Sequence, residues 1–372
     1  MNRLLALAAV LSVAAGFQHA KAQDVTIPVL VPLTGFLSLE GTSQRNGAAL
    51  ALAAPPAGVK ARAEVVDVGV APEAAVNALE KAAGQKPLAV VASMLGAQVL
   101  AMLPVAQEQK LPLLTISGTA QVTSGNPYVF RFFLSDDVIK IPVVRYLTAD
   151  LAKRRPAIIY QTTSYGQGGH ASLVANLARR GITPAYEEGI DVAAKDLLPS
   201  ITKAMAANPD VLIIHLHAGP TALFVKQAAQ ARITVPIMAG SAMSQPATAA
   251  LVEPRDLKGV CTESTALPAL GVSPAMDDFV NRYRKAYGGD PDAYALAQYD
   301  GTMMALAAVK AGAKTAEEMR AALSRMSYEG AAMTYKSDGK GNMAHSAAIL
   351  CYDGTSRTPK LAKRFDAIDS PP

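Results

Sequence analysis

The residues best equipped to do chemistry are the small hydroxylic run Ser117-Gly118-Thr119, which follows the apolar stretch 111–116. A short apolar run bounded by Pro112 and by small polar residues predicts a buried strand that ends in a loop. At the carboxyl edge of a parallel sheet, such a loop offers free N–H groups, short hydroxyls and no bulk. Those are the means of holding a small anion by hydrogen bonds. Asn126-Pro127 marks a turn, and 128–133 predicts a second strand leaving this half of the molecule.

Other constellations carry less. His215-Leu216-His217 places two imidazoles on one face of a strand, the spacing of some zinc sites, yet no third ligand stands at a telling distance along the chain. The expectation is a packed His215, a His217 reaching a cleft from the strand end, and no metal. Gly166-Gln167-Gly168-Gly169-His170-Ala171 satisfies the pattern of a dinucleotide-binding turn, with Glu187 and Glu188 further on. Thr162 to Tyr165 lengthen the turn that would aim a helix end at a pyrophosphate, so these glycines are read as serving Tyr165. No G-x-S-x-G or H-E-x-x-H occurs. In Asp136-Asp137 and Asp277-Asp278 the neighbours face apart, so both pairs are read as helix starts. Neither catalysis nor a cofactor is expected.

The elements that must position these residues alternate. Strands at 24–31, 63–68, 88–92 and 111–116 are separated by helices at 41–54, 72–83 and 97–109, the first with Thr42 or Ser43 as its cap. The rhythm restarts with helices at 141–152, 168–180, 195–207 and 221–231 between strands at 156–161, 183–188, 210–217 and 235–239. Helical segments at 276–287, 293–311 and 315–326 follow, then strands at 331–335 and 345–352. This predicts an α/β protein of two doubly wound parallel-sheet lobes joined by a hinge of several crossings. The expected lobes are 23–141 with 264–333, and 142–263 with 334–372.

At 372 residues, 51% hydrophobic and 17% charged, the chain can bury two cores. Its formal charge of +5, its lack of Trp and a longest basic run of Lys153-Arg154-Arg155 argue against nucleic-acid binding. Arg3, the apolar stretch 4–15 and Ala20-Lys21-Ala22 predict a cleaved secretory signal over 1–22, and no other stretch is long enough to span a membrane. In an oxidising compartment Cys261 and Cys351 are either one disulfide or two buried thiols.

The run VLVPLTG at 29–35, the helix opening at 41–47, AMLPVAQEQKLPLLTISGTA, NPYVFR at 126–131, YGQG at 165–168 and AQYDG at 297–301 stand in order along the chain. On these motifs the chain resembles the periplasmic leucine/isoleucine/valine-binding protein family, solute-binding subunits of ABC importers with the type I binding-protein fold. The resemblance implies a monomeric periplasmic protein that captures a small carboxylate between its lobes and delivers it to an inner-membrane permease; a ligand sensor docking on a membrane receptor is the alternative. It implies that the carboxylate meets Leu95, Gly96, Ser117, Gly118 and Thr119 of the first lobe, with Ser93 departing from the family's Ser-rich loop and its contact left to backbone N–H groups. From the second lobe come Tyr165 and a residue at His217 or Ala218. Where the family's amino-acid binders carry an acid for the ligand ammonium, this chain has Ser241. A buried ammonium without a partner costs several kcal/mol. With Met94, Leu95 and Met243 as apolar walls, the favoured ligand is an aromatic or branched 2-oxo acid, and a branched-chain amino acid or amide is the alternative.

Overall fold

A computed structural model describes residues 23–368, so the expected signal segment lies outside the described residues. Nine residues of alternating and then continuous apolar character form β1 (Gln23–Val31), followed by α1 (Ser38–Leu52), β2 (Val59–Asp67), α2 (Pro72–Ala83), β3 (Val90–Val91), α3 (Gly96–Glu108), β4 (Leu113–Thr115) and β5 (Val129–Arg131). These strands make one parallel sheet in the order β2-β1-β3-β4-β5. Val25, Ile27, Val29 and Val31 of β1 point into one core and Leu30 into the opposite one. The strand is buried on both faces, as parallel sheets covered by helices are.

The chain then crosses through α4 (Asp136–Arg145), whose Val138 and Ile139 belong to the first lobe's core and whose Val143 and Val144 belong to the second's. This helix begins at the Asp136-Asp137 pair, in keeping with its reading as a helix start but five residues before the helix expected over 141–152, and it continues into a wider turn over Tyr146–Asp150. There follow β6 (Pro156–Gln161), α5 (Ser164–Ala178), β7 (Tyr186–Ile190), α6 (Leu198–Ala206), β8 (Val211–His215), α7 (Ala218–Gln230), β9 (Ile237–Ala239), the single turn α8 (Pro246–Ala249) and β10 (Val260–Ser264). Back in the first lobe lie α9 (Pro274–Tyr287), α10 (Ala293–Lys310), α11 (Ala316–Leu323) and the hairpin of β11 (Ser327–Glu329) with β12 (Thr334–Lys336). The chain closes with β13 (Ala347–Cys351) and β14 (Lys360–Phe365).

The second sheet runs β14-β13-β10-β9-β8-β6-β7; its last five strands are parallel, while β13 and β14 are antiparallel additions. The expected lobe boundary at 333–334 falls inside the β11–β12 hairpin, whose Tyr335 is buried in the first lobe's core. Thr315 caps α11 in a reciprocal capping box with Glu318. Cys261 and Cys351 face each other in register across β10 and β13 and form a disulfide, which resolves that alternative.

In the first sheet the strand order reverses between β1 and β3, and in the second between β6 and β8. At such points the loops beyond the strands' carboxyl ends part and leave a crevice. The two crevices face each other between the lobes.

Candidate functional site

The loops beyond β1, β3, β4 and β5 bring Leu37, Glu40, Met94, Leu95, Gly96, Ile116, Gly118, Phe133 and Asp136 to a cavity between the lobes. The second lobe contributes Tyr165, His217, Ser241 and Ala242 from beyond β6, β8 and β9, and Tyr294 of α10 completes the wall. The lobes are closed on one another, and the space left is about 30 Å³. That is room for one or two waters. A ligand the size of an amino acid enters only when the lobes part.

Of the residues singled out by sequence, Leu95, Gly96, Gly118, Tyr165, His217 and Ser241 line this cavity. Ser117 and Thr119 sit just behind the wall, fully buried, and neither hydroxyl has a hydrogen-bond partner. Gly96 must be glycine: a Cβ there would lie 2.0 Å from Thr119 Oγ1. The start of α3 and the 117–119 loop are thus in direct contact. Ser93 Oγ donates to Gln98 and accepts from Leu95 N–H, so it is spent in shaping the turn. Met243 does not line the cavity; it is packed in the second lobe's core and Ala242 takes the wall position.

Tyr165 lies in the first turn of α5, which begins at Ser164, with Thr163 Oγ1 accepting the Gly166 N–H as its cap. The ring packs against both histidines, with centroids 4.0 Å from His215 and 4.9 Å from His217, and its hydroxyl has no partner. His217 is the residue before α7, and its Nε2 is 3.3 Å from Thr163 Oγ1. Burial, and then the neighbouring His215, pull its pKa down to about 3, so it is a neutral ring. Ser241 Oγ is 2.8 Å from the Tyr294 hydroxyl, a bond between the lobes.

Sequence reasoning missed two acids. Glu40 projects from the first turn of α1, which starts at Ser38 without a side-chain cap rather than at Gly41. Its Oε1 accepts the Ala218 N–H of the second lobe at 2.9 Å, while Oε2 is buried without a partner. Burial raises its pKa to about 7 against the Ala218 bond, which lowers it. Asp136 opens α4, where its N–H donates to Gly118 O at 2.7 Å, and its Oδ2 is buried and unpartnered. Burial raises it to about 7, opposed by the charges of Lys140 and Arg131. The two aspartates of the Asp136-Asp137 pair do face apart, Asp136 to this cavity and Asp137 to an outer groove.

Behind Asp136, the ammonium of Lys140 bonds Glu263 and lies 3.0 Å from His215 Nδ1. Asp136, His215 and Glu263 offer atoms within 4.8 Å of one another, a spacing that a metal could use. Here the lysine supplies the cation, and burial together with Lys140 holds His215 well below its ordinary pKa. The glycines of the 166–171 motif answer to packing. A Cβ on Gly166 would lie 1.9 Å from Gln161 O, and one on Gly169 would lie 2.1 Å from His215 Nε2.

The site is therefore an inter-lobe pocket with apolar walls, donors on one side and two carboxyls. Among the described residues no helix is long and apolar enough to cross a membrane. A family profile described as "Periplasmic binding protein" matches residues 24–355. An "Amino acid binding protein" of Pseudomonas aeruginosa is 30% identical over 332 residues, 86% of each chain. A "Leu/Ile/Val-binding protein homolog 3" of Brucella melitensis is 23% identical over 66% of this chain and 68% of its own length. Among solved structures, the leucine-binding protein LivK of Thermotoga maritima superposes with a TM-score of 0.84 at 23% identity, covering 92% of this chain and 99% of its own. A solute-binding protein of R. palustris in complex with benzoate superposes with 0.85 at 16%, covering 94% and 98%. With two lobes closing on a shared crevice, and with a profile and a relative that each cover most of its length, the chain belongs to the periplasmic binding protein family.

Proposed function

We propose that this protein is the exported solute-binding subunit of an ABC importer and that its ligand is a small apolar α-amino acid. The lobes capture it by closing, and the closed form is what a permease in the inner membrane recognises. The carboxylate would be held by the unpaired N–H groups at the start of α3 and by the 117–119 loop with its two unpartnered hydroxyls. The ammonium would be held by Asp136, and the side chain would lie among Leu37, Met94, Ile116, Phe133 and Ile139.

The observation that carries this reading is the pair Asp136 and Glu40, each buried with an oxygen free of any partner at the cavity. Ser241 removed the acid expected beyond β9 and so argued for a carboxylate without an amine. The pocket carries acids from elsewhere, and two buried carboxyls favour a ligand that brings a cation. The name of the Pseudomonas aeruginosa relative agrees.

A second reading rests on the same two groups. With pKa values raised to about 7, they can be neutral and donate to the oxygens of a benzoate-like or 2-oxo acid. A thermal-shift panel of L-leucine, L-valine and L-alanine against 4-methyl-2-oxopentanoate and benzoate separates the two. A ligand at a hundred times its dissociation constant adds about 2.7 kcal/mol of stability. Stabilisation by the oxo acid or benzoate and by none of the amino acids overturns the amino-acid reading.

A further inference from the structure

Arg131 ends β5 fully buried, among the most enclosed side chains of the molecule. Its five N–H donors are all used. Nη1 donates to Thr119 O at 2.7 Å and to Ser117 O at 3.3 Å. Nη2 donates to Thr123 Oγ1 at 3.2 Å and Asn342 Oδ1 at 2.6 Å, and Nε donates to Asn342 Oδ1 at 3.0 Å. No donor remains for a ligand, and the residue does not line the inter-lobe cavity.

What the guanidinium does hold is the back of the ligand loop. In a planar trans peptide the N–H points opposite to the preceding C=O. Fixing the carbonyls of Ser117 and Thr119 therefore turns the N–H groups of Gly118 and Ala120 away from Arg131. The Asp136 N–H does the same for Thr119 by holding Gly118 O at 2.7 Å. None of these three amides donates to a group among the described residues. The loop is an array of aimed donors whose aim is set from behind.

Asn342 in turn has its own holder. Its Nδ2 donates to Asp338 Oδ2 at 2.6 Å and its N–H to Asp338 Oδ1 at 2.9 Å. The same segment pairs with β5, since Arg131 N–H donates to Gly341 O and Met343 N–H to Arg131 O. It is also the last crossing before β13 of the second lobe. We propose that Arg131 is the positioning residue of the ligand loop, and that Asp338 and Asn342 fix it so that the loop and this crossing behave as one rigid body. The proposal rests on the reading that the 117–119 loop takes the ligand carboxylate.

The test exchanges the two supports. Asn342→Asp keeps the acceptor for Arg131 but sets a second carboxylate against Asp338 and loses the Nδ2 donor; adding Asp338→Asn restores the complementary pair in reverse. Calorimetry with L-leucine and with benzoate on the purified protein should show affinity for the probe that binds the parent falling about tenfold or more in Asn342→Asp, and recovering in the double variant. Hydrogen exchange of the 116–122 amides, read by mass spectrometry without ligand, should quicken in the single variant and return in the double one, with exchange elsewhere in the first lobe unchanged. Unaltered loop exchange in Asn342→Asp overturns the proposal, and so does loosening of the whole lobe with a matching fall in melting temperature. If neither probe binds the parent, the proposed ligand class fails while loop exchange still decides the role of Arg131.

Discussion

Glu40 of the first lobe accepts the Ala218 N–H of the second at 2.9 Å, and this contact exists only while the lobes are closed. Closure buries a carboxyl whose pKa burial has raised to about 7, with Asp292 and Tyr294 close by in the same lobe. The closed form therefore binds a proton more tightly than the open form, in which Glu40 meets water. The proton favours closure below about pH 7, and that advantage is lost as pH rises through 7. Ligand-free protein should show a smaller radius of gyration by small-angle scattering at pH 5.5 than at pH 8. Glu40→Gln, which keeps the acceptor oxygen, should reduce the difference. The same radius at both pH values would rule the effect out.

Asp136 is the residue on which the amine reading turns. Asp136→Asn keeps the shape and the N–H that holds Gly118 O but removes the charge. Affinity for L-leucine should fall about ten- to a hundredfold, the equivalent of about 1–3 kcal/mol, while affinity for 4-methyl-2-oxopentanoate should hold or rise. Calorimetry on the two ligands gives the answer, and an equal loss for both would move the ammonium away from Asp136.

The parent protein offers a pH test of the same point. An ammonium needs the carboxylate form, and Asp136 is held up at about 7 mainly by burial. As pH falls from 8 to 6 the proton competes with the ammonium for Asp136, so affinity for L-leucine should fall, and Glu40→Gln, which removes the opposing proton on closure, should make the fall steeper. A ligand that accepts a hydrogen bond from the neutral acid should show the opposite slope.

Much of this fold is legible because it follows from burial alone. All five residues of β8 are buried between two helical layers, and the first four, Val211 to Ile214, read as an unbroken apolar run. The α2 helix announces itself by Pro72 and Gly84. The site is harder to read, because its acids belong to elements whose starts carry no local signal. Leu37 caps α1 with its backbone only, so Glu40 looked like loop. Asp136 reads correctly as a helix start, but its place beside Gly118 depends on how the chain crosses between lobes. An arginine closing the apolar run Tyr128-Val129-Phe130 is a signal that could have drawn attention to Arg131, whose partners lie as far away as Asn342.

The Cys261–Cys351 bond joins β10 and β13 within the second lobe, outside the cavity wall. Closing a long loop in the unfolded chain, it should contribute about 2–4 kcal/mol. Urea unfolding with and without reductant should show that loss, while calorimetry on a double Cys→Ala variant should find ligand affinity within about twofold of the parent. A large loss of affinity would mean that the bond shapes the site.

Gly96 is a glycine held by contact and Gly168 is one with space around it. A Cβ on Gly96 meets Thr119 Oγ1 at 2.0 Å, whereas one on Gly168, in the middle of α5, meets nothing within 4 Å. In Gly96→Ala either α3 must retreat or Thr119 must turn, and both moves spoil the register between the helix start and the 117–119 loop. Affinity should drop about tenfold or more even where the melting temperature changes little. Gly168→Ala should leave affinity alone and stabilise the protein by up to about 1 kcal/mol through better helix propensity. The two variants, measured side by side by calorimetry and thermal unfolding with L-leucine and benzoate as probes, test the anion site directly. If Gly96→Ala binds as the parent does, the carboxylate is not held between α3 and this loop.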